Sequence, residues 1–400
     1  MRHDTIGPVR FAVYTDYPYR RTGGAVYAPR AFAVFLAELA QSLDGMVLAG
    51  RLEPEEGTSH YRLPGDLDFA PLPHYGSLTS PVRAMGAVAR SLWRWWRVLD
   101  RVEGVWLLGP HGLALPFALM AALRRRHVVL GVRQDLPRYV RSRHPGRRWI
   151  GLAAAALEGA FRALARRYPV VVVGPELGRR YHHARRVLVT SVSLVRDVDV
   201  VSEASALARS YDGELRMLSV GRLEKEKNPL LLADILAHAR AVDARWRLVV
   251  CGEGSMRADL EERLRELGVA DHAEVLGYLP VHGGLRDAYR ESHALVHVSF
   301  TEGLPQVLFE AFAAGLPVLA TAVGGVPEAV TGDALLMPPE DVDAAVDGLE
   351  RIVRDSALRE RLVRSGLRRA RESTLQAESR RVARFLVENG RTAQARPGGG

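Results

Sequence analysis

Cysteine is almost missing from this 400-residue chain. Cys251 stands alone, so no disulfide can close within the chain and no thiolate cluster for zinc can be assembled. A reducing compartment, the cytoplasm, is the expected setting. Lysine is nearly as scarce: of 55 basic residues, only Lys225 and Lys227 are lysines. Chemistry that needs a lysine amine, such as a Schiff base to pyridoxal phosphate, has only those two positions. A G-x-x-x-x-G-K-[ST] loop is lacking, which excludes a P-loop NTPase. No G-x-G-x-x-G follows the first apolar run, which argues against a nicotinamide dehydrogenase. Met1–Arg21 carries His, Asp and Arg where a signal peptide would be apolar, so none is expected. The stretch Val105–Leu123 has no formal charge and the length of a membrane span. Gly109, Pro110, His111, Gly112 and Pro116 instead divide it into a strand and a helix start.

What remains is an ordinary globular composition, 48% hydrophobic and 25% charged, long enough for two domains. The charge is uneven. Residues 1–200 hold 29 basic and 16 acidic groups, and residues 201–400 hold 26 and 30. Such a field on one half fits an anionic partner there, or simply a solvated face.

Short apolar runs alternate with amphipathic segments along most of the chain. Val9–Tyr14, Met46–Ala49, Gly104–Leu108, His127–Val132 and Val170–Val173 read as buried parallel strands in the first half. Leu215–Val220, Arg247–Cys251, Ala273–Leu276, Ala294–Val298, Val318–Thr321 and Ala334–Met337 do so in the second. Helical patterns fall between them, among them Ala25–Ser42, Arg83–Asp100 and Pro305–Ala314. The alternation predicts an α/β protein of two Rossmann-like, doubly wound domains, with ligands in a cleft between their carboxyl strand ends. The first domain is expected over residues 1–200 and the second over 201–378, with polar Asp197–Glu214 as linker. A helix over 379–390 is expected to return to the first domain, and 391–400 to be a disordered tail.

Four loops at predicted strand ends carry chemistry. Glu302-Gly-Leu-Pro-Gln-Val-Leu-Phe-Glu310 follows the strand Ala294–Val298 and opens a helix at Pro305. Backbone N–H groups near Gly303 and Leu304 then suit phosphate, while Glu302 and Glu310 suit sugar hydroxyls. Gly221-Arg222-Leu-Glu-Lys-Glu-Lys227 follows Leu215–Val220, and its Arg222 and Lys227 suit a pyrophosphate, one bidentate and one as a point charge. Gly252-Glu253-Gly254 follows Arg247–Cys251. Thr22-Gly23-Gly24-Ala25 follows the first strand, at an expected helix start.

In this order the loops resemble those of retaining glycosyltransferases of the GT-B fold, the family four or group 1 class. The resemblance is strong over Leu215–Glu340 and rests on E-x(7)-E at Glu302 and Glu310 and G-R-L-x(3)-K at Arg222 and Lys227. It implies that Arg222 and Lys227 bind the donor diphosphate, Glu310 the ribose and Glu302 the transferred sugar. It also brings Gly23, Gly24, Gly252, Glu253, Gly254, Gly303, Leu304 and Pro305 to the donor, and His111 to the donor sugar. The pattern departs from the family at Asn228, at Ser255 and around His111. The implied activity is transfer from a nucleoside-diphosphate sugar to an acceptor hydroxyl with retention. Its setting would be cell-envelope polysaccharide or glycolipid synthesis, or a soluble natural-product acceptor. A nucleotide-sugar epimerase of similar shape is the alternative.

Arg83–Arg101 interleaves Trp93, Trp95 and Trp96 with Arg90, Arg94, Arg97 and Arg101, and puts Met85, Leu92, Trp96 and Leu99 nearer the opposite face. It reads either as a helix lying on an anionic membrane or as one packing its tryptophans on a sheet. Further arginines, Arg133, Arg138, Arg141, Arg143, Arg147 and Arg148, fall in an expected loop. A peripheral enzyme with a lipid-linked or anionic acceptor accommodates both features. No nucleic-acid module is present. The pairs Asp66/Asp68, Asp197/Asp199 and Asp341/Asp343 read as turn and cap residues, so no metal and no cofactor is expected.

Overall fold

The apolar runs assemble into two separate, mainly parallel sheets. The computed structural model describes residues 9–75, 81–143, 148–280 and 284–391. The chain divides into two units: unit 1 runs to Leu194 and resumes at Leu375, and unit 2 is Val195–Thr374.

Unit 1 contains β1 (Phe11–Thr22), β2 (Ala25–Ala28), β3 (Met46–Leu52), β4 (Tyr61–Arg62), β5 (Asp68–Pro73), β6 (Gly104–Gly109), β7 (His127–Val132), β8 (Val170–Val173) and β9 (Val187–Thr190). Its parallel strands lie in the order β5-β3-β1-β6-β7-β8-β9. The winding therefore reverses between β1 and β6. Along β1 the side chains alternate between two cores, with Ala12 and Tyr14 in one and Phe11 and Val13 in the other. The helix Leu375–Arg391 seals the second core with Val382, Ala383 and Leu386.

Two expectations for unit 1 are corrected here. Gly23 and Gly24 do not begin a helix. Both have positive φ, 55° and 79°, and form the two-residue turn of an antiparallel hairpin between the far end of β1 and β2. The helix expected from Ala25 starts only at Phe32. Arg138, Arg141 and Arg143 lie not in a loop but in the helix Leu136–Arg143, and Arg148 starts the helix Arg148–Ala165; Arg147 is outside the described residues.

β5 escaped the sequence reading because its two prolines look like a breaker. It pairs only with β3, at the sheet edge, where a missing N–H is tolerated. The uncharged stretch Val105–Leu123 resolves into β6 and the helix Ala114–Leu123. Among the described residues no helix is long and apolar enough to cross a membrane.

The arginine–tryptophan segment is the helix Pro81–Val98, and it divides its tryptophans. Trp95 is fully buried, stacked on Phe117 at 4.6 Å and edge-on to Tyr14 at 6.3 Å. Trp93 is exposed under the Arg97 guanidinium, and Met85, expected on the inner side, is exposed too.

Unit 2 contains β10 (Leu215–Val220), β11 (Trp246–Cys251), β12 (Ala273–Gly277), β13 (Ala294–His297), β14 (Val318–Thr321) and β15 (Leu335–Met337). They are all parallel, in the order β12-β11-β10-β13-β14-β15, so the winding reverses between β10 and β13. The polar segment expected as a linker belongs to this unit. Its helix Glu203–Leu207 buries Ala206 against Val363 and Leu367, and Arg209 donates to the carbonyls of Ala314 and Gly315. The boundaries accordingly fall at Val195 and Thr374, not at 201 and 378, because the segments beyond Val195 and beyond Leu375 each join a core. Residues 392–400, the expected tail, lie outside the described residues.

Trp95→Ala should cost unit 1 about 3–5 kcal/mol, the range for truncating a buried aromatic. Urea denaturation followed by far-UV circular dichroism should show the loss in the unit 1 transition alone.

Candidate functional site

In an open parallel sheet, the loops on either side of the winding reversal leave in opposite directions and expose a crevice at the carboxyl edge. In unit 2 that edge lies beyond β10 and β13, and both main sequence motifs are there. Glu302 is the centre of the cluster. Its carboxylate pairs with the Lys227 ammonium, accepts a 2.8 Å bond from Ser299 Oγ and lies 3.1 Å from His297 Nε2. The His297 contact is close enough to pair but off the line of a ring N–H bond. Burial alone would raise the Glu302 carboxyl. His297 and the Lys227 charge outweigh it and bring it down to about 2.

Arg222 lies in the same loop as Lys227 but points outward, two-thirds exposed, with Glu226 Oε1 at 2.6 Å. Together with Ser219–Leu223, Lys227 and His297–Ser299 it lines a narrow crevice open to solvent. Asn228 takes a left-handed conformation, φ 51°, which ends the short turn Lys225–Lys227 and starts the next helix.

Glu310 stands apart from this cluster by its partners. It sits on the helix Gln306–Ala313 and accepts a 2.8 Å bond from the buried Tyr289 hydroxyl. Burial raises its carboxyl, and the tyrosine bond only partly offsets this. Pro305 immediately precedes the helix instead of forming its first turn.

Gly252 and Gly254 have a structural task. A Cβ at Gly252 would overlap the Gly221 carbonyl, and one at Gly254 the Leu223 carbonyl. The two loops are also tied by Gly221 N–H to Cys251 O at 3.0 Å and Leu223 N–H to Glu253 O at 2.9 Å. The Glu253 side chain turns away to Arg257. Gly324 plays the same part on the other side, since a Cβ there would meet the Glu302 carbonyl. Gly303 and Leu304 lie in the loop so held.

In unit 1 the corresponding edge lies beyond β1 and β6, and His111 occupies it. Its Nδ1 accepts from Leu113 N–H at 3.3 Å and lies 3.0 Å from the Tyr14 hydroxyl, so the ring proton belongs on Nε2, 2.8 Å from Asp16 Oδ2. Asp16 also accepts from the Tyr75 hydroxyl and pairs with Arg51, whose guanidinium stacks over Tyr75 at 4.4 Å. Burial pushes the Asp16 carboxyl up, but His111, Arg51 and Tyr75 outweigh it and hold it below the usual range. The register between β1 and β3 shifts between Tyr14 and Pro18, and Asp16 lies within that irregularity. Sequence reasoning missed Asp16, Arg51, Tyr75 and His297. Asp16 and His297 were findable as polar residues at the ends of apolar strands.

Gly23 and Gly24 are on the β1–β2 hairpin, lining a concavity with Arg21, Arg62 and Phe69. The aspartate pairs have other partners: Asp68 with Arg101, Asp197 with Thr374, Asp199 with Arg196 and Arg286, and Asp341 with the first turn of the helix Val342–Arg354. Among the described residues no three His, Cys, Asp or Glu side chains gather as metal ligands would.

Two doubly wound α/β units, with a Lys–Glu cluster at the edge of the second, make the fold that of a GT-B glycosyltransferase. Residues 203–369 match the family model described as Glycosyl transferases group 1. Among solved structures it is similar to Anabaena HepE in complex with UDP, with a TM-score of 0.68 and 14% identity, over 95% of this chain and 100% of that one. Among curated proteins it is 31% identical over 141 residues to the gpi3 subunit of the Schizosaccharomyces pombe phosphatidylinositol N-acetylglucosaminyltransferase. That match covers 35% of this chain and 31% of the relative. It is 26% identical over 175 residues to a Campylobacter jejuni α-1,4-N-acetyl-D-galactosaminyltransferase whose name specifies a diNAcBac-PP-undecaprenol-linked substrate, over 43% and 47% of the two chains. The chain thus spans 31% and 47% of the length of these two curated relatives.

Because Glu302 ionises well below its unfolded value, its charge stabilises unit 2 fully above about pH 4.5, and the contribution fades as the pH falls towards 2. Glu302→Gln should therefore lower unit 2 stability at pH 7 by about 3 kcal/mol, at about 1.4 kcal/mol per pH unit. The gap from wild type should close in denaturant titrations between pH 4.5 and 2. Gly252→Ala should cost about 1–3 kcal/mol as an overpacked contact, and urea denaturation followed by circular dichroism should show the loss.

Proposed function

We propose that this chain is a retaining glycosyltransferase that moves a sugar from a nucleoside-diphosphate donor, held by unit 2, to an acceptor hydroxyl, held by unit 1. The observation that carries the reading is the meeting of Lys227 with Glu302 beside Arg222 at the winding reversal of unit 2. An ammonium has three N–H donors, so Lys227 can keep Glu302 and still offer two to a diphosphate. Arg222, two-thirds exposed and paired with Glu226, can swing onto the same group. As the bond from the anomeric carbon to the diphosphate oxygen breaks, its electron pair leaves with the diphosphate, and the two cations stabilise that growing charge. The acceptor oxygen forms the new bond on the same face and passes its proton to the departing phosphate oxygen. Charge compensation by Arg222 and Lys227 takes the place of a divalent ion. Glu302, ionised at every physiological pH, accepts hydrogen bonds from sugar hydroxyls, and Glu310 from the ribose. His111, with both ring nitrogens engaged, is held in one orientation, and the family resemblance assigns it to the donor sugar.

A lipid-linked acceptor and contact with an anionic membrane form the finer part of the proposal. Unit 1 exposes Met85, Trp93, Leu119, Leu123, Trp149 and Leu152 on an arginine-rich background. The names of the fission yeast and Campylobacter relatives specify lipid-borne substrates. A nucleotide-sugar epimerase is the second reading, and it predicts donor turnover without any acceptor.

Calorimetric titration of UDP, GDP and ADP, each with and without EDTA, tests the donor site. One nucleotide should bind equally in both conditions, and Arg222→Ala should weaken it about tenfold or more, the scale of a lost charge-assisted pair. Loss of binding in EDTA would overturn metal independence, and unchanged binding by Arg222→Ala would overturn the clamp. For the membrane, sedimentation with phosphatidylglycerol vesicles should capture the protein, and phosphatidylcholine vesicles should not.

A further inference from the structure

Arg133 stands immediately after β7, on the carboxyl edge of the unit 1 sheet, and is used by nothing described above. Its guanidinium is packed face-on over Phe32 at 3.8 Å and lies 5.7 Å from the Tyr17 ring. Among the described residues no carboxylate pairs with it and no carbonyl or hydroxyl accepts from it, and its Nε is buried without a partner. This sets it apart from its neighbours. Arg51, Arg101, Arg124 and Arg180 each find an aspartate. Burial lowers the Arg133 guanidinium to about 10, with no opposing charge to restore it, so it still carries its full charge at neutral pH.

An aromatic face attracts a cation but satisfies none of its N–H donors. Keeping a half-buried, uncompensated guanidinium costs folding free energy, which a bound anion would recover. The surroundings favour one. Phe32, beneath the guanidinium, opens the ten-residue helix Phe32–Gln41, which has no capping side chain and no acid in its first turn. No acidic side chain therefore offsets the positive end of its dipole. The planar fork of arginine matches two oxygens of a phosphate better than any neutral group.

We propose that Arg133 seats a phosphate-class oxyanion carried by the acceptor, so that the acceptor is a phosphorylated molecule, either soluble or a phospholipid. This assignment to the acceptor rests on the glycosyltransferase reading, whereas the anion seat itself does not. It gives the arginine-rich unit a specific contact in place of a diffuse field.

The test uses the full chain as wild type, Arg133→Met and Arg133→Lys, melted in sodium phosphate and in sodium chloride of equal ionic strength. In chloride, Arg133→Met should melt at or above wild type, because a half-buried unpaired charge has gone. Phosphate should raise the wild-type Tm, and Arg133→Met should need about tenfold more phosphate for the same rise, with Arg133→Lys between them. Repeating the comparison with glycerol 3-phosphate and with phosphatidylglycerol vesicles separates a soluble source from a lipid one, and Arg133-dependent protection by either supports the seat. Equal phosphate protection of wild type and Arg133→Met, no protection of wild type, or a Tm of Arg133→Met well below wild type in chloride would each overturn it. UDP titrations of the same proteins run in parallel: UDP should bind all three alike. Failure of UDP to bind any of them would remove the donor reading while leaving the Arg133 comparison intact.

Discussion

One carboxylate holds the working edge of unit 2 together. Glu302 reaches Lys227 beyond β10 and His297 and Ser299 at the end of β13, and its backbone carbonyl receives Gly325 from the loop after β14. Three strand ends that would otherwise splay at a winding reversal are thereby pinned to one point. The pin is electrostatic and mostly buried, so it is strong where solvent is excluded and yet keeps N–H donors in reserve for a ligand. Glycines on both flanks allow it. Gly252 and Gly254 let one loop press against Gly221–Leu223, and Gly324 does the same against Glu302.

Unit 1 repeats the plan with different chemistry. At its own reversal the bent β1 brings Asp16 to His111, and Tyr14, Tyr75 and Arg51 close the network. Trp95 and Phe117 support it from beneath by packing on Tyr14. Almost every polar atom in this network is satisfied from within, which makes it a rigid wall. Arg133, two strands along the same edge, is the opposite: a charge packed in place without its counterpart.

The arginine–tryptophan helix shows how one amphipathic pattern serves two ends. Trp95 belongs to the core and Trp93 to the surface, although they are two residues apart on the same helix. Arg94 and Arg101 are spent on Pro71 and Asp68, and Arg97 lies over Trp93, so less of the positive field is free than the residue count implies.

Much of the architecture was legible in the residues because buried parallel strands must be short, continuous and apolar. β10 and β14 stand where periodicity puts them, and residue type and spacing alone single out Glu302, Glu310, Arg222 and Lys227 as the candidate site on which the proposed function rests. What spacing cannot carry is partnership. That Lys227 closes on Glu302, that Glu310 instead meets Tyr289, that Asp16 rather than solvent holds His111, and that Gly23–Gly24 turn a hairpin rather than start a helix all depend on contacts between distant parts of the chain. The glycines of Gly252-x-Gly254 look the same in sequence whether a ligand or a neighbouring loop demands them, since either requires only the absence of a Cβ. Arg133 is one arginine among 53 until the fold shows that its Nε is buried without a partner against an aromatic ring. Local pattern determined the elements and the chemical inventory. Only tertiary packing decided which charges are paired, because pairing depends on distance and burial, and neither is a property of neighbours in sequence.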